Sequence, residues 1–213
     1  MSLILAAIAA GLVRASTPPQ TPPIFNPGAP GEASRVVTAD EAVALSRTSH
    51  VEADVRFMQH MLVHHAQAVE MVELLKTRAA SQTVRRLGER IAQSQEAEME
   101  LMQEWLLSRG LPVTAADPHA GHPGHGVDPN TPGMPGMLSP AQMATLAAAD
   151  GPAFDRLFLE GMIQHHQGAL DMVEDLLSAP DTAEDPMLSE FTSSVTADQS
   201  AEILRMQTIL SGL

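Results

Sequence analysis

Two adjacent histidines occur twice in this chain, each time in nearly the same surroundings. Asp54 opens the segment DVRFMQHMLVHHAQAVEMVELL, and Asp155 opens DRLFLEGMIQHHQGALDMVEDLL. With a shift of 101 residues, Asp54, Phe57, Met61, His64, His65, Ala68, Met71 and Val72 fall on Asp155, Phe158, Met162, His165, His166, Ala169, Met172 and Val173. A second match follows with a shift of 104. It sets Ile91, Gln95, Glu98, Met99 and Met102 on Val195, Gln199, Glu202, Ile203 and Met206. Imidazole and thioether side chains on an apolar helical face are donors to soft metal ions. Packing needs alone do not explain why both copies keep His-His and an inward Glu.

The chemistry follows from helical spacing. His64 and His65 stand about 100° apart around a helix, with Met61 one turn before both and Met71 two turns beyond His64. Met162, His165, His166 and Met172 repeat this set. Di-iron bundles use Glu-x-x-His at such positions, whereas here the tetrads read Met61-x-x-His64 and Met162-x-x-His165. A thioether in place of a hard carboxylate favours Cu(I) or Ag(I). Zinc would be held by His and Glu but would leave the methionines without a role. Gln95, Glu98 and Met102, with Gln199, Glu202 and Met206, lie on the inward faces of the following helices. A buried carboxylate is costly unless paired, so Glu98 and Glu202 are expected to meet the His rings. They would serve either as acceptors for metal-bound imidazoles or in purely structural pairs. Met58 falls on Leu159, so it has no symmetric counterpart, and His60 falls on Gly161. His50 and His60 are read as surface residues.

A separate group lies between the repeats. His119, His122 and His125 are followed by Met134-Pro-Gly-Met137 in a Gly/Pro-rich context. Such sequence does not hold a fixed helix face, so these residues would capture a metal flexibly or form a mere linker.

The elements that must position these residues are helical. Phe57, Met61, His64, Ala68, Met71 and Leu75 step by four and three along one face, with Met58, Leu62, His65, Val69 and Val72 beside them. A second helix spans 81–109, with Leu87, Ile91, Met99, Met102 and Leu106 inward, and Gly110-Leu-Pro112 ends it. Ser139-Pro140 opens a short helix, Asp150-Gly-Pro152 breaks it, and helices over about 153–178 and 186–211 follow. Each repeat is thus a helical hairpin with one broad apolar face that it cannot bury alone. Two hairpins packed together give an all-α four-helix bundle with pseudo-two-fold symmetry. Upstream, residues 3–13 form an apolar run too short to cross a bilayer and suited to a secretory signal over residues 1–15, although no basic residue precedes it. Residues 16–37 read as a linker without regular structure. Thr38 and Glu41 form a capping box. The parts are therefore 1–15, 16–37, a first hairpin over 38–110, a His/Met linker over 111–138 and a second hairpin over 139–213, with both hairpins in one domain.

Composition narrows the function. The chain has 213 residues, 13 Met, nine His, no Cys and a net charge of −14. The lack of Cys excludes disulfides, thiolate zinc sites and cysteine nucleophiles. The acidity disfavours nucleic acid and anionic lipid as partners. No motif for a second substrate and no nucleophile constellation is present.

These residues carry a family resemblance. Pro27-Gly-Ala-Pro-Gly31, Phe57-Met-x-x-Met61-x-x-His64-His65-x-x-Ala68, Met134-Pro-Gly-Met137-Leu-Ser, and Phe154-Asp-x-x-Phe158 through His165-His166-Gln-Gly-Ala169-x-x-Met172 resemble the "domain of unknown function 305" family. The resemblance covers about residues 24 to 211. It implies a ferritin-like four-helix protein, exported, with some members similar to periplasmic copper- or silver-binding proteins of metal tolerance. It implies as ligands Met61, His64, His65, Met71, Met162, His165, His166 and Met172. The leading expectation is an exported protein that buffers or carries Cu(I), with a metal ion and a metal donor or acceptor protein as partners. The alternatives are a metal-dependent oxidoreductase of ferritin-like type and a metal-free helical interaction module.

Overall fold

A computed structural model of the chain describes residues 22–26, 33–46, 50–114 and 134–213. The apolar run at 3–13 and His119, His122 and His125 lie outside the described residues. The chain divides into two units, residues 1–47 and 48–213.

In the first unit, β1 (Ile24–Asn26) pairs antiparallel with β2 (Arg35–Val37), Phe25 facing Val36. The reading of 16–37 as a stretch without regular structure is corrected here. Ile24, Phe25, Val36 and Val37 are β-branched or aromatic residues with strand preference, and the Pro- and Gly-rich average of the segment masks them. Helix α1 (Ala39–Ser46) starts at the capping box, where Thr38 N–H donates to Glu41 Oε2 at 2.8 Å and Glu41 N–H to Thr38 Oγ1 at 3.1 Å.

The second unit contains α2 (Glu52–Arg78), α3 (Gln82–Ser108), α4 (Pro140–Ala148), α5 (Gly151–Leu177) and α6 (Pro186–Leu210). α2 packs on α3, α5 on α6, and the two hairpins meet through α2 and α5. Side-chain caps start the helices where the sequence supplies them. Ser139 accepts from Gln142 N–H, and Asp185 accepts from the N–H groups of Met187 and Leu188 just before Pro186.

Two buried aspartates tie the hairpins together. Asp54, in the first turn of α2, accepts from Ala183 N–H in the α5–α6 loop at 2.9 Å. Its repeat mate Asp155, in α5, accepts from Ala80 N–H at 3.2 Å and Ser81 N–H at 2.7 Å in the α2–α3 loop. Each hairpin's loop is therefore held by the other hairpin's first helix, which is the pseudo-two-fold relation in atomic detail.

The core falls into two apolar clusters. One gathers residues such as Met71, Leu75, Leu87, Ile91, Phe154, Phe158, Met162 and Met206. The other gathers Phe57, Met61, Met102, Trp105, Leu106, Ala169, Leu188, Phe191 and Val195. On each of the four long helices a polar position separates the two: His64-His65, Gln95, His165-His166 and Gln199, all buried. The bundle thus carries a polar layer at its waist. No helix among the described residues is long and apolar enough to cross a membrane.

Candidate metal centre

The four imidazoles of the waist are 0–1 % exposed. Burying a polar ring without a partner costs free energy, so each ring nitrogen must be accounted for. All four Nε2 atoms have partners. His65 Nε2 lies 2.6 Å from Glu98 Oε2, and His166 Nε2 lies 2.7 Å from Glu202 Oε2. His64 Nε2 lies 3.0 Å from the Pro135 carbonyl oxygen, and His165 Nε2 lies 2.8 Å from the carbonyl oxygen of His64. A carbonyl or carboxylate oxygen only accepts, so each Nε2 carries the proton and donates it. In a neutral ring this leaves the lone pair on Nδ1. All four Nδ1 atoms are buried and without a hydrogen-bond partner.

The protonation state of the central pair supports this assignment. The His64 and His165 rings lie with centroids 3.8 Å apart and planes at 37°. Burial, and then the positive charge His65 would add, press the His64 pKa down to about 4. Burial, followed by the neighbouring His64 and His166, holds His165 well below the ordinary imidazole range. Both rings are therefore neutral at pH 7, with a free lone pair. His65 and His166 flank them, with ring centroids 6.4 Å from His64 and 6.2 Å from His165 respectively.

The sulfur donors share these helices. Met61, Met71, Met162, Met102 and Met206 are fully buried, and Met172 is 8 % exposed. Gln95 Oε1 and both amide atoms of Gln199 are also buried without partners. Among the described residues no three His, Asp or Glu side chains come together as a metal-holding group.

One part of the site was not legible as such in the sequence. The Gly/Pro segment 134–138 was expected to be flexible, yet here it is docked as a strap along α2 and α5. Gln67 holds it by a reciprocal pair, its Nε2 donating to Leu138 O at 2.9 Å and its Oε1 accepting from Leu138 N–H at 2.8 Å. Gln164 Nε2 donates to Gly136 O at 3.3 Å. Two glycines allow the close approach. Gly136 has φ +73°, and a Cβ there would lie 2.5 Å from Gln164 O. A Cβ on Gly168 would overlap the Pro135 carbonyl group. The strap thereby delivers Pro135 O to His64. The clue available in the sequence was Gly168 in mid-helix, where glycine is costly unless backbone approaches it. Met134 and Met137 of the strap are partly buried. His60 is exposed, as expected. His50 is half-buried, edge-on to Trp105 at 5.6 Å.

The family described as "Domain of unknown function (DUF305)" matches residues 54–210. The chain belongs to this family. A DUF305 fragment from Deinococcus radiodurans has a solved structure 32 % identical to it, with TM-score 0.64, covering 78 % of this chain and all of that one. A DUF305 protein from Streptomyces coelicolor, described as secreted, is 31 % identical with TM-score 0.63 over 75 % of this chain and 93 % of its own. CopM in its Cu(I)-bound form is 27 % identical with TM-score 0.55, over 75 % of this chain and 96 % of CopM. CopM is also known in Cu(II)-bound, Ag-bound and apo forms. No curated protein matches the chain. The all-α class read from the repeats holds for this DUF305 member.

Proposed function

We propose that this DUF305 protein is an exported binder of a soft monovalent metal ion, Cu(I) with Ag(I) alongside, that buffers or carries the ion rather than transforming a substrate. The carrying observation is the set of four buried Nδ1 atoms without a partner, each on a ring whose Nε2–H is donated to an oxygen. Unmet lone pairs in an apolar bundle are destabilising for a merely structural cluster, and they suit a site whose remaining partner is a metal ion. The ligands on this reading are His64, His65, His165 and His166 with thioethers from Met61, Met71, Met162 and Met172. Glu98 and Glu202 orient their imidazoles and raise their basicity. Imidazole with thioether selects Cu(I) over zinc or a di-iron pair, and the copper- and silver-bound forms of CopM support that choice. Export rests on the sequence of residues 1–15 and on the relative described as secreted.

The test is a Cu(I) titration against a competing chelator. The wild-type protein is set beside a variant with His64, His65, His165 and His166 replaced by Ala, and beside Met61→Leu/Met162→Leu, a volume-conserving change. Circular dichroism reports whether each variant folds. Tight binding lost in the His variant and weakened in the Met variant is the expected result. Equal binding by wild type and the His variant, or no binding by the wild type, overturns the proposal.

A further inference from the structure

The two repeats differ at one position that chemistry can use. The repeat mate of His60 is Gly161, and a Cβ there would lie 3.2 Å from the Met71 methyl and 3.0 Å from Leu138. On that side Met71 is sealed beneath α5 and the strap, fully buried. On the other side His60 takes the place of Gly161, and Met172 takes the place of Met71. There the structure is open: a pocket of about 340 Å³ is lined by His60 and Phe57 of α2, Met134 and Pro135 of the strap, and Met172 and Asp175 of α5. The sealed side has its own surface pocket around Gly161, of about 310 Å³, and neither His nor Met lines it.

We propose that His60, Met134 and Met172 form an outer soft-metal site, at which Cu(I) or Ag(I) is taken up before it reaches the buried imidazoles. One imidazole and two thioethers from three separate segments line a single solvent-open cavity, a donor set that suits a soft monovalent cation. Asp175 adds a negative charge to the wall. The one opposing charge, Arg56, is exposed and faces Glu52 of its own helix at 3.7 Å. The pocket also adjoins the inner centre. Pro135, part of its wall, is the residue whose carbonyl accepts from His64 Nε2. Met172, on another wall, is also one of the thioethers assigned above to the inner centre, on the same helix as His165 and His166, so the two sites share it. The inference rests on the metal-binding reading above and adds to it a route of uptake that breaks the pseudo-symmetry: cargo arrives from the His60 side.

The experiment uses Ag(I), which needs no reductant, with the full protein carrying 13C-methyl methionine. Wild type, His60→Ala, Met134→Leu and the four-His variant are titrated while the Met134 and Met172 methyl resonances are followed. Ag(I) transfer from a competing chelator to the protein is timed in parallel. The expected result is that both methyl resonances respond to Ag(I) in wild type and in the four-His variant. His60→Ala should weaken that response and slow loading by about tenfold or more, the scale on which a single site residue acts, with final occupancy of the inner centre unchanged. His60 is exposed, so circular dichroism of His60→Ala should match that of the wild type. An Ag(I) response and loading rate unchanged in both His60→Ala and Met134→Leu overturns the outer site while leaving the inner centre standing. Tight binding unchanged in the four-His variant instead overturns the inner centre.

Discussion

The behaviour of single residues here follows from the acceptors that hold their rings. Glu98 carries the His65 N–H and Glu202 that of His166. Glu98→Gln keeps an oxygen acceptor but removes its charge, so Cu(I) affinity should fall by about 10- to 100-fold with little loss of metal-free stability. Competition titration beside a thermal melt checks both halves of that statement. The central pair sets the pH response of the metal-free protein. The folded-state pKa values of His64 and His165 lie below the unfolded value of about 6.5, so the unfolded chain binds more protons as pH falls. Their contribution to stability is therefore complete above about pH 6.5 and is lost on acidification towards pH 4. For His64 alone that loss is about 3 kcal/mol. Denaturant midpoints measured at pH 7.5, 6 and 4.5 test it, and a pH-independent midpoint would contradict the neutral, buried pair. The sequence made His64, His65, His165 and His166 legible because repetition marks them against a background of unrepeated polar residues. It did not disclose which nitrogen each ring leaves free. For His64 and His165 that depends on Pro135 O and His64 O, backbone atoms that no side-chain pattern records.

At the scale of elements, the long helices were readable because apolar stripes and caps agree with each other. The strap over 134–138 was not. Gly-Pro composition looks the same whether the segment floats or docks, and its docking depends on two glycines from different segments meeting face to face. Gly168→Ala sets two effects against each other. Alanine gains about 1 kcal/mol of helix propensity over glycine, but its methyl would overlap the Pro135 carbonyl group, and overpacking typically costs about 1–3 kcal/mol. We expect the clash to prevail by displacement of the strap. Exchange of the Leu138 amide, which now donates to Gln67, should then accelerate well beyond any change in the helices. Unaltered protection at Leu138 would mean the strap accommodates the methyl. The short strands β1 and β2 were missed for a related reason: two apolar pairs of residues lie too far apart within a Pro-rich stretch to give a period.

For the molecule as a whole, the bundle and its symmetry were legible from the two shifts of 101 and 104 residues. The crossed aspartates were visible only as repeat-aligned residues, Asp54 and Asp155, with no hint of what they hold. A hydrogen bond to a charged group contributes about 1.5–3 kcal/mol. Asp54→Ala and Asp155→Ala should each lower stability by about 2–3 kcal/mol, since each removes a buried carboxylate that holds the other hairpin's loop. They sit at opposite ends of the bundle and share no partner, so the double variant should lose close to the sum. Urea unfolding of the two single variants and the double variant measures this, and strong non-additivity would point to coupling through the waist.

The reciprocal grip of Asp54 on one hairpin's loop and of Asp155 on the other's has the form of a homodimer whose two copies have been joined end to end. Identical subunits must change together, because one gene writes both. A tandem copy is released from that constraint. The difference is visible at the central rings, where the strap's Pro135 carbonyl holds His64 while the carbonyl of His64 holds His165, and in position 60, which is His in one copy and Gly in the other. The tandem arrangement thus gives the protein a front and a back.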